Sequence, residues 1–183
     1  MRAAALIGMA TMYSKVKILG HPIHPMLVAF PITFYATSLI GYAVYGASGR
    51  PFWFEVGWLA NVAGVLMAAV AALPGFIDWA VGIPSGTKAK SVGLTHMLLN
   101  VVALAIFGLN ALLQYPQWNS AAPDSTLATA LSLIGMGFTL GAGFFGWTLV
   151  QTHHVGVDLN REQQRAERYV PTERVDRERS VTG

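Results

Sequence analysis

Five histidines are the residues in this chain best equipped for chemistry: His21 and His24, His96, then His153 and His154. Imidazole is the commonest protein ligand for transition metals and for haem iron. His21 and His24 lie in the hexapeptide Gly20-His-Pro-Ile-His-Pro25, each directly before a proline. A residue before proline is pushed away from helical geometry. The segment is therefore expected to be stiff and extended, holding both rings outside a helix at low entropic cost. Asn100 follows His96 by four residues and shares its helix face. Asp78 is a carboxylate among apolar neighbours.

Two opposed histidines from different helices would suit a b-type haem, with Gly93, Gly143 and Gly146 making room for a flat ring. Three histidines with Asp78 would instead suit a non-haem transition-metal ion. His24 and His96 are the first choice of ligands, His21 or His154 the next, with Asn100 and His153 in support. The competing reading needs no ligand. His153 and His154 would favour a helix C-terminus through its dipole. Asp78 would cap a helix or pair with Lys88 or Lys90, and Asn61 and Asn100 would make interhelical hydrogen bonds.

The elements that must position these groups are membrane spans. Hydrophobic residues make up 54% of the chain and charged residues 11%, against roughly 25% charged in soluble domains. Four apolar runs, at about 26–46, 53–77, 92–113 and 126–150, each reach the roughly 20 residues a spanning helix needs. Pro31 lies inside the first run and frees the Leu27 carbonyl, and Pro74-Gly75 kinks or breaks the end of the second. Phe52, Trp53, Phe54 and Trp58 form an interfacial aromatic belt at its start. Gly137 and Gly141 in the fourth run permit close helix approach.

One membrane domain, 20–157, accounts for these spans. Residues 1–19 are an N-terminal extension. Arg2 and a short apolar run give a weak signal-peptide pattern with no convincing cleavage site before Lys15 and Lys17. A mobile extension, or Met12 as the true initiator, is the preferred reading. Residues 158–183 carry six arginines and six acids. They are expected to be solvated and largely disordered, with one short helix at most over 161–168.

Four spans joined by short loops form an up-down bundle. The near face, where the first span begins, then receives His21 and His24, Asp78, His96, and His153 and His154. It also receives eleven of the twelve Lys and Arg residues, leaving Arg50 alone on the far face. The positive-inside rule puts the near face and both termini in the cytoplasm.

The chain has no cysteine, so thiolate metal sites and iron–sulfur clusters are excluded within it. It has no nucleophile elbow, phosphate-binding glycine loop or paired catalytic carboxylates, and no basic-aromatic pattern for nucleic acid. The spans read as apolar at their centres, which gives a transport path little support.

Gly20-His-Pro-Ile-His-Pro-Met-Leu-Val28 with Phe30-Pro31 resembles the signature of bacterial membrane proteins grouped as domain of unknown function 2231. So do Gly75-Phe-Ile-Asp78-Trp79, Ile83-Pro-Ser-Gly-Thr-Lys-Ala89, Gly93-Leu-Thr-His96 with Asn100, and the ending His154-Val-Gly-Val-Asp158, where Val155 replaces a more usual glycine. The resemblance covers about 15–158. It implies a four-span membrane domain. Because some relatives are joined to Rieske-type domains, it also hints at redox work with a separate partner protein.

The expectation is an all-α, integral membrane up-down four-helix bundle of the bacterial inner membrane, both termini cytoplasmic. Its site would bind b-type haem or a transition-metal ion near the cytoplasmic face for electron transfer. A cofactor-free structural or accessory subunit is the alternative, and a small-molecule or ion transporter the third.

Overall fold

The computed structural model describes Met12, residues 14–157 and Glu162–Gln163. The charged tail expected at 158–183, those two residues apart, lies outside the described residues.

Four long helices dominate. They are α2 (Ala29–Ser48), α3 (Pro51–Ile77), α4 (Lys88–Gln114) and α5 (Thr126–Gln151), preceded by a two-stranded hairpin, β1 (Lys17–Ile18) and β2 (His21–Pro22), and a short helix α1 (Ile23–Leu27). A π-helical turn, Asp78–Gly82, continues α3, and a 3-10 turn, Tyr115–Gln117, ends α4. With these extensions, four helical segments are long and apolar enough to cross a membrane: Ile23–Ser48, Pro51–Gly82, Lys88–Gln117 and Thr126–Gln151. Four spans were expected; the first three reach two to five residues beyond the expected bounds at each end, and the fourth one residue beyond.

The packing is that of a membrane bundle. Large apolar side chains such as Leu66, Leu73, Leu112, Leu133, Leu140 and Phe144 point outward. The interior is built from small, aromatic and polar residues instead. Between helices in lipid there is no hydrophobic gain, so close van der Waals packing and hydrogen bonds hold the bundle. The helices form a ring in which α2 packs on α3 and α4 on α5, closed by α3 against α4 and α2 against α5.

Glycines set the closest approaches. A Cβ on Gly41 would stand 2.7 Å from Gly57 Cα, so the α2 and α3 backbones touch there. Gly64 faces the Tyr35 ring and Gly135 the Phe107 ring, and those two rings stack across the bundle at 3.7 Å between centroids. Gly137 and Gly141, expected to bring helices together, do not. A Cβ on Gly137 would meet nothing within 4 Å, and one on Gly141 only a Leu99 methyl at 3.7 Å. Both line an open groove with Leu99, Ile134 and Phe138.

Two further expectations are corrected. His24 does not stand outside helical geometry. It lies inside α1, with Pro25 in the first turn, where a missing N–H costs no intrahelical bond. Only His21 is extended, in β2. The bundle centre is also not apolar: Ser38, Asn61, Asn110 and Ser132 are fully buried, one from each long helix. Asn61 was expected to bond between helices, and it does, from α3 to Phe107 O and Ala111 N of α4; the other three were masked in the sequence by their apolar neighbours.

Candidate functional site

The histidine end of the bundle is assembled from the chain's beginning upward. Leu19 (φ 49°) and Gly20 (φ 83°) make the turn between β1 and β2, which pairs Ile18 with His21. His21 is exposed, and its Nδ1 lies 3.0 Å from the Leu19 carbonyl, so this ring serves its own turn. The hairpin leads into α1, which seats His24 against α3.

His24 and His96 are the two imidazoles brought together. Their ring centroids are 6.2 Å apart and their planes perpendicular at 88°. Each ring is pinned on one side by a main-chain carbonyl of another helix. His24 Nδ1 donates to Ala71 O at 2.9 Å, and His96 Nδ1 donates to Ala142 O at 2.8 Å. A carbonyl can only accept, so both Nδ1 atoms carry a proton, and in the neutral form of each ring the lone pair is then on Nε2. Asn100 Nδ2 approaches His96 Nε2 at 3.2 Å while donating to His96 O at 2.9 Å.

The glycines around the rings have a different purpose from the expected one. A Cβ on Gly75 would lie 2.7 Å from His24 Nδ1 and Cε1, and one on Gly146 would lie 3.0 Å from His96 Cε1. Gly93 makes way for Trp79, whose Cδ1 would lie 2.8 Å from an added Cβ. Gly75, which the sequence offered only as part of a kink, seats His24, and Gly146 seats His96. Of the three glycines assigned to a cofactor ring, two accommodate protein rings, and a Cβ on Gly143 would meet nothing within 4 Å.

Asp78 does not join the histidines. Its Oδ2 accepts the Ser14 hydroxyl at 2.7 Å, and its Oδ1 accepts the N–H groups of Lys15 at 2.6 Å and Val16 at 3.2 Å. The carboxylate thus fastens the segment before β1, part of which was expected to be mobile, to the end of α3. Just ahead of that segment, Met12 O accepts Gly156 N–H at 2.8 Å, a bond to the turn that follows α5. Lys88 and Lys90 do not pair with Asp78 either. Lys90 Nζ donates to the carbonyls of Trp79, Ala80 and Ile83 and lies 4.2 Å over the Trp79 ring. Trp79 Nε1 returns a bond to Lys90 O at 3.1 Å, which locks the π-helical turn to α4.

His153 and His154 follow α5 in a closing turn, with Val155 N donating to Leu149 O and His154 in left-handed geometry at φ 52°. Among the described residues, no group of three or more His, Asp or Glu is placed to hold a metal ion. The set of three histidines with Asp78 is therefore not assembled. His24 and His96 form a pair, while His21 is bonded to its own turn and Asp78 to residues 14–16. What sequence reasoning missed are the two pinning carbonyls, for which a backbone atom leaves no signal in residue types.

The family model described as predicted membrane protein (DUF2231) matches residues 20–159. No curated protein and no solved structure matches the chain.

Proposed function

The chain belongs to the domain of unknown function 2231 family of predicted membrane proteins, and from that premise we propose that this multi-pass membrane protein carries a two-imidazole ligand site, His24 and His96, serving electron transfer. The observation that carries the reading is the pair of Nδ1–H bonds to Ala71 O and Ala142 O. Fixing Nδ1 in this way sets the tautomer and orientation and leaves Nε2 as the donor atom, as in ligating histidines generally.

The donor set favours one class of ligand. Among the described residues the pair has no third His, Asp or Glu beside it, and such a pair suits a cofactor that brings further ligands of its own, a b-type haem, better than a bare ion that needs more from the protein. The two rings stand 6.2 Å apart between centroids, and Nε2 is the atom each would offer to such a group. For haem to enter, Asn100 must give up its contact with His96 Nε2. A haem held there would supply the one-electron chemistry. The chain's part is to orient two rings and to keep them at one end of the bundle.

That end is the cytoplasmic one. Lys15, Lys17, Lys88 and Lys90 gather there with the histidines, and Arg50 stands alone at the other, which supports a cytoplasmic site in a bacterial inner membrane. The electron partner is a separate redox protein.

One observation favours a second reading. Each ring bridges two helices, α1 to α3 and α4 to α5, which is what a cofactor-free structural subunit would need.

The test is the visible spectrum and metal content of the full chain purified in mild detergent, before and after adding haem. A haem spectrum lost in His24→Ala and His96→Ala, in variants that remain folded, supports the site. A folded, colourless protein that takes up neither haem nor metal rejects it in favour of the structural reading.

A further inference from the structure

The buried polar layer is independent of the histidine pair. Tyr35 and Ser38 are three residues apart on α2, as Phe107 and Asn110 are on α4. The two helices run the same way and Tyr35 stacks on Phe107, so Ser38 and Asn110 stand at one height. Asn110 Nδ2 donates to Ser132 Oγ at 3.0 Å and Ala128 O at 3.1 Å. Asn61, its amide turned to match donors with acceptors, bonds Phe107 O at 3.2 Å and Ala111 N at 3.1 Å. The layer thus takes one residue from each long helix.

It is short of partners. Tyr35 Oη, Ser38 Oγ and Asn110 Oδ1 are buried and bonded to no protein group. Tyr42 Oη, which makes no bond within ordinary geometry, lies beside Asn61. An unpaired polar group is costly in a membrane interior, and small polar cavities meet that cost with ordered water bound at two to four partners.

Among the described residues of the long helices, the buried polar groups that adjoin this layer continue toward the far end. Toward the far end come Gln114 and Ser125, both buried, and Tyr45, whose hydroxyl donates to Pro123 O at 2.6 Å. Gln117, in the far-end turn, donates to Gln114 Oε1 at 2.9 Å. Toward the histidines, the buried residues next to the layer are mostly apolar, among them Pro31, Ala71, Pro74, Ala103 and Ala142, with Thr139; the next buried polar side chain described is Ser14, bonded to Asp78 at the end of α3. Thr139 gives its hydroxyl to Gly135 O in its own helix.

We propose that the far half of the bundle interior binds ordered water, admitted from the far end past Gln117 and Gln114 to the layer of Ser38, Asn61, Asn110 and Ser132, and that the Tyr35–Phe107 stack closes this path below the histidines. The ligand class is a small neutral hydrogen-bonding molecule, with water itself the occupant. The arrangement is a half-path across the membrane, hydrated on one side and sealed by an aromatic pair.

Radiolytic hydroxyl-radical footprinting of the full chain in lipid nanodiscs tests it, because radicals form where water is. Tyr35 and Tyr42 are expected to be oxidised although buried, alongside exposed Tyr115 at the far end. Phe144, which faces lipid, is expected to stay unmodified. Ser38→Ala removes only an unpartnered hydroxyl, so the bundle should fold, and Tyr42 oxidation should fall while Tyr115 is unchanged. The closure is read separately as proton leak of reconstituted vesicles, raised in Phe107→Ala over the parent. Unmodified Tyr35 and Tyr42 at a dose that oxidises Tyr115, or Tyr42 oxidation unchanged in folded Ser38→Ala, overturns the water site. A leak unchanged in Phe107→Ala overturns the seal.

Discussion

The Cβ that Gly75 lacks would stand 2.7 Å from the His24 ring, so α3 gives up a side chain to let an imidazole from α1 reach the Ala71 carbonyl. Gly146 does the same for His96 on α5. Gly75→Ala and Gly146→Ala are therefore expected to displace the rings and to destabilise the protein by about 1–3 kcal/mol, the usual cost of overpacking. Thermal melting in detergent measures the loss, and a haem titration should show weakened uptake in both. Gly143→Ala is the control, since an added Cβ there meets nothing within 4 Å.

Asp78 joins the end of α3 to Ser14, Lys15 and Val16 through three hydrogen bonds. Asp78→Asn removes the charge from all three acceptor contacts and is expected to cost about 1–3 kcal/mol. The loss should be local. Hydrogen exchange of the Lys15 and Val16 amides should speed up sharply while the long helices keep their protection. Unchanged exchange at those amides would contradict the fastening role.

Gly41 and Gly57 place backbone against backbone, with the added Cβ at 2.7 Å from both Gly57 Cα and N. No flexible side chain is available to yield, so Gly41→Ala is expected to cost about 1–3 kcal/mol or more by forcing α2 and α3 apart. Gly137→Ala should be neutral or slightly stabilising through helix propensity. A thermal melt of the two variants side by side reads the difference.

Asp124 caps the start of α5 from the far-end loop. Its Oδ1 accepts Thr126 N–H at 2.8 Å, and the Thr126 backbone and hydroxyl together hold the carboxyl below its ordinary pKa. A depressed folded pKa stabilises the fold above the unfolded pKa, and that contribution is lost as pH falls through the folded value. Carboxyl chemical shifts followed by NMR should show Asp124 titrating below a free aspartate. In Thr126→Ala the shift should shrink but persist, because the backbone N–H remains.

Length and polarity of the apolar runs determined the four spans, because a bilayer about 30 Å thick sets how many residues must be apolar. That information is carried residue by residue and is legible without contacts. The same runs with their short loops brought the histidines to one end of the bundle. His24 and His96 were the first choice among those histidines, and they are the two rings the fold brings within 6.2 Å; how each ring is held was not legible, since it depends on helix rotation and on backbone atoms. Ala71 and Ala142 look inert as residues, yet their carbonyls fix both rings. Pro25 looked like a helix breaker before the fold placed it in a first turn. Asp78 looked like a ligand until three groups from 14–16 occupied it. The polar layer was legible only at Asn61, whose interhelical bonding was expected; Ser38, Asn110 and Ser132 are scattered over three other apolar runs, and only packing sets the four together. Sequence determined which residues enter the membrane, and tertiary structure decided which of their polar atoms meet, because meeting depends on rotation about helix axes that hydropathy alone does not encode.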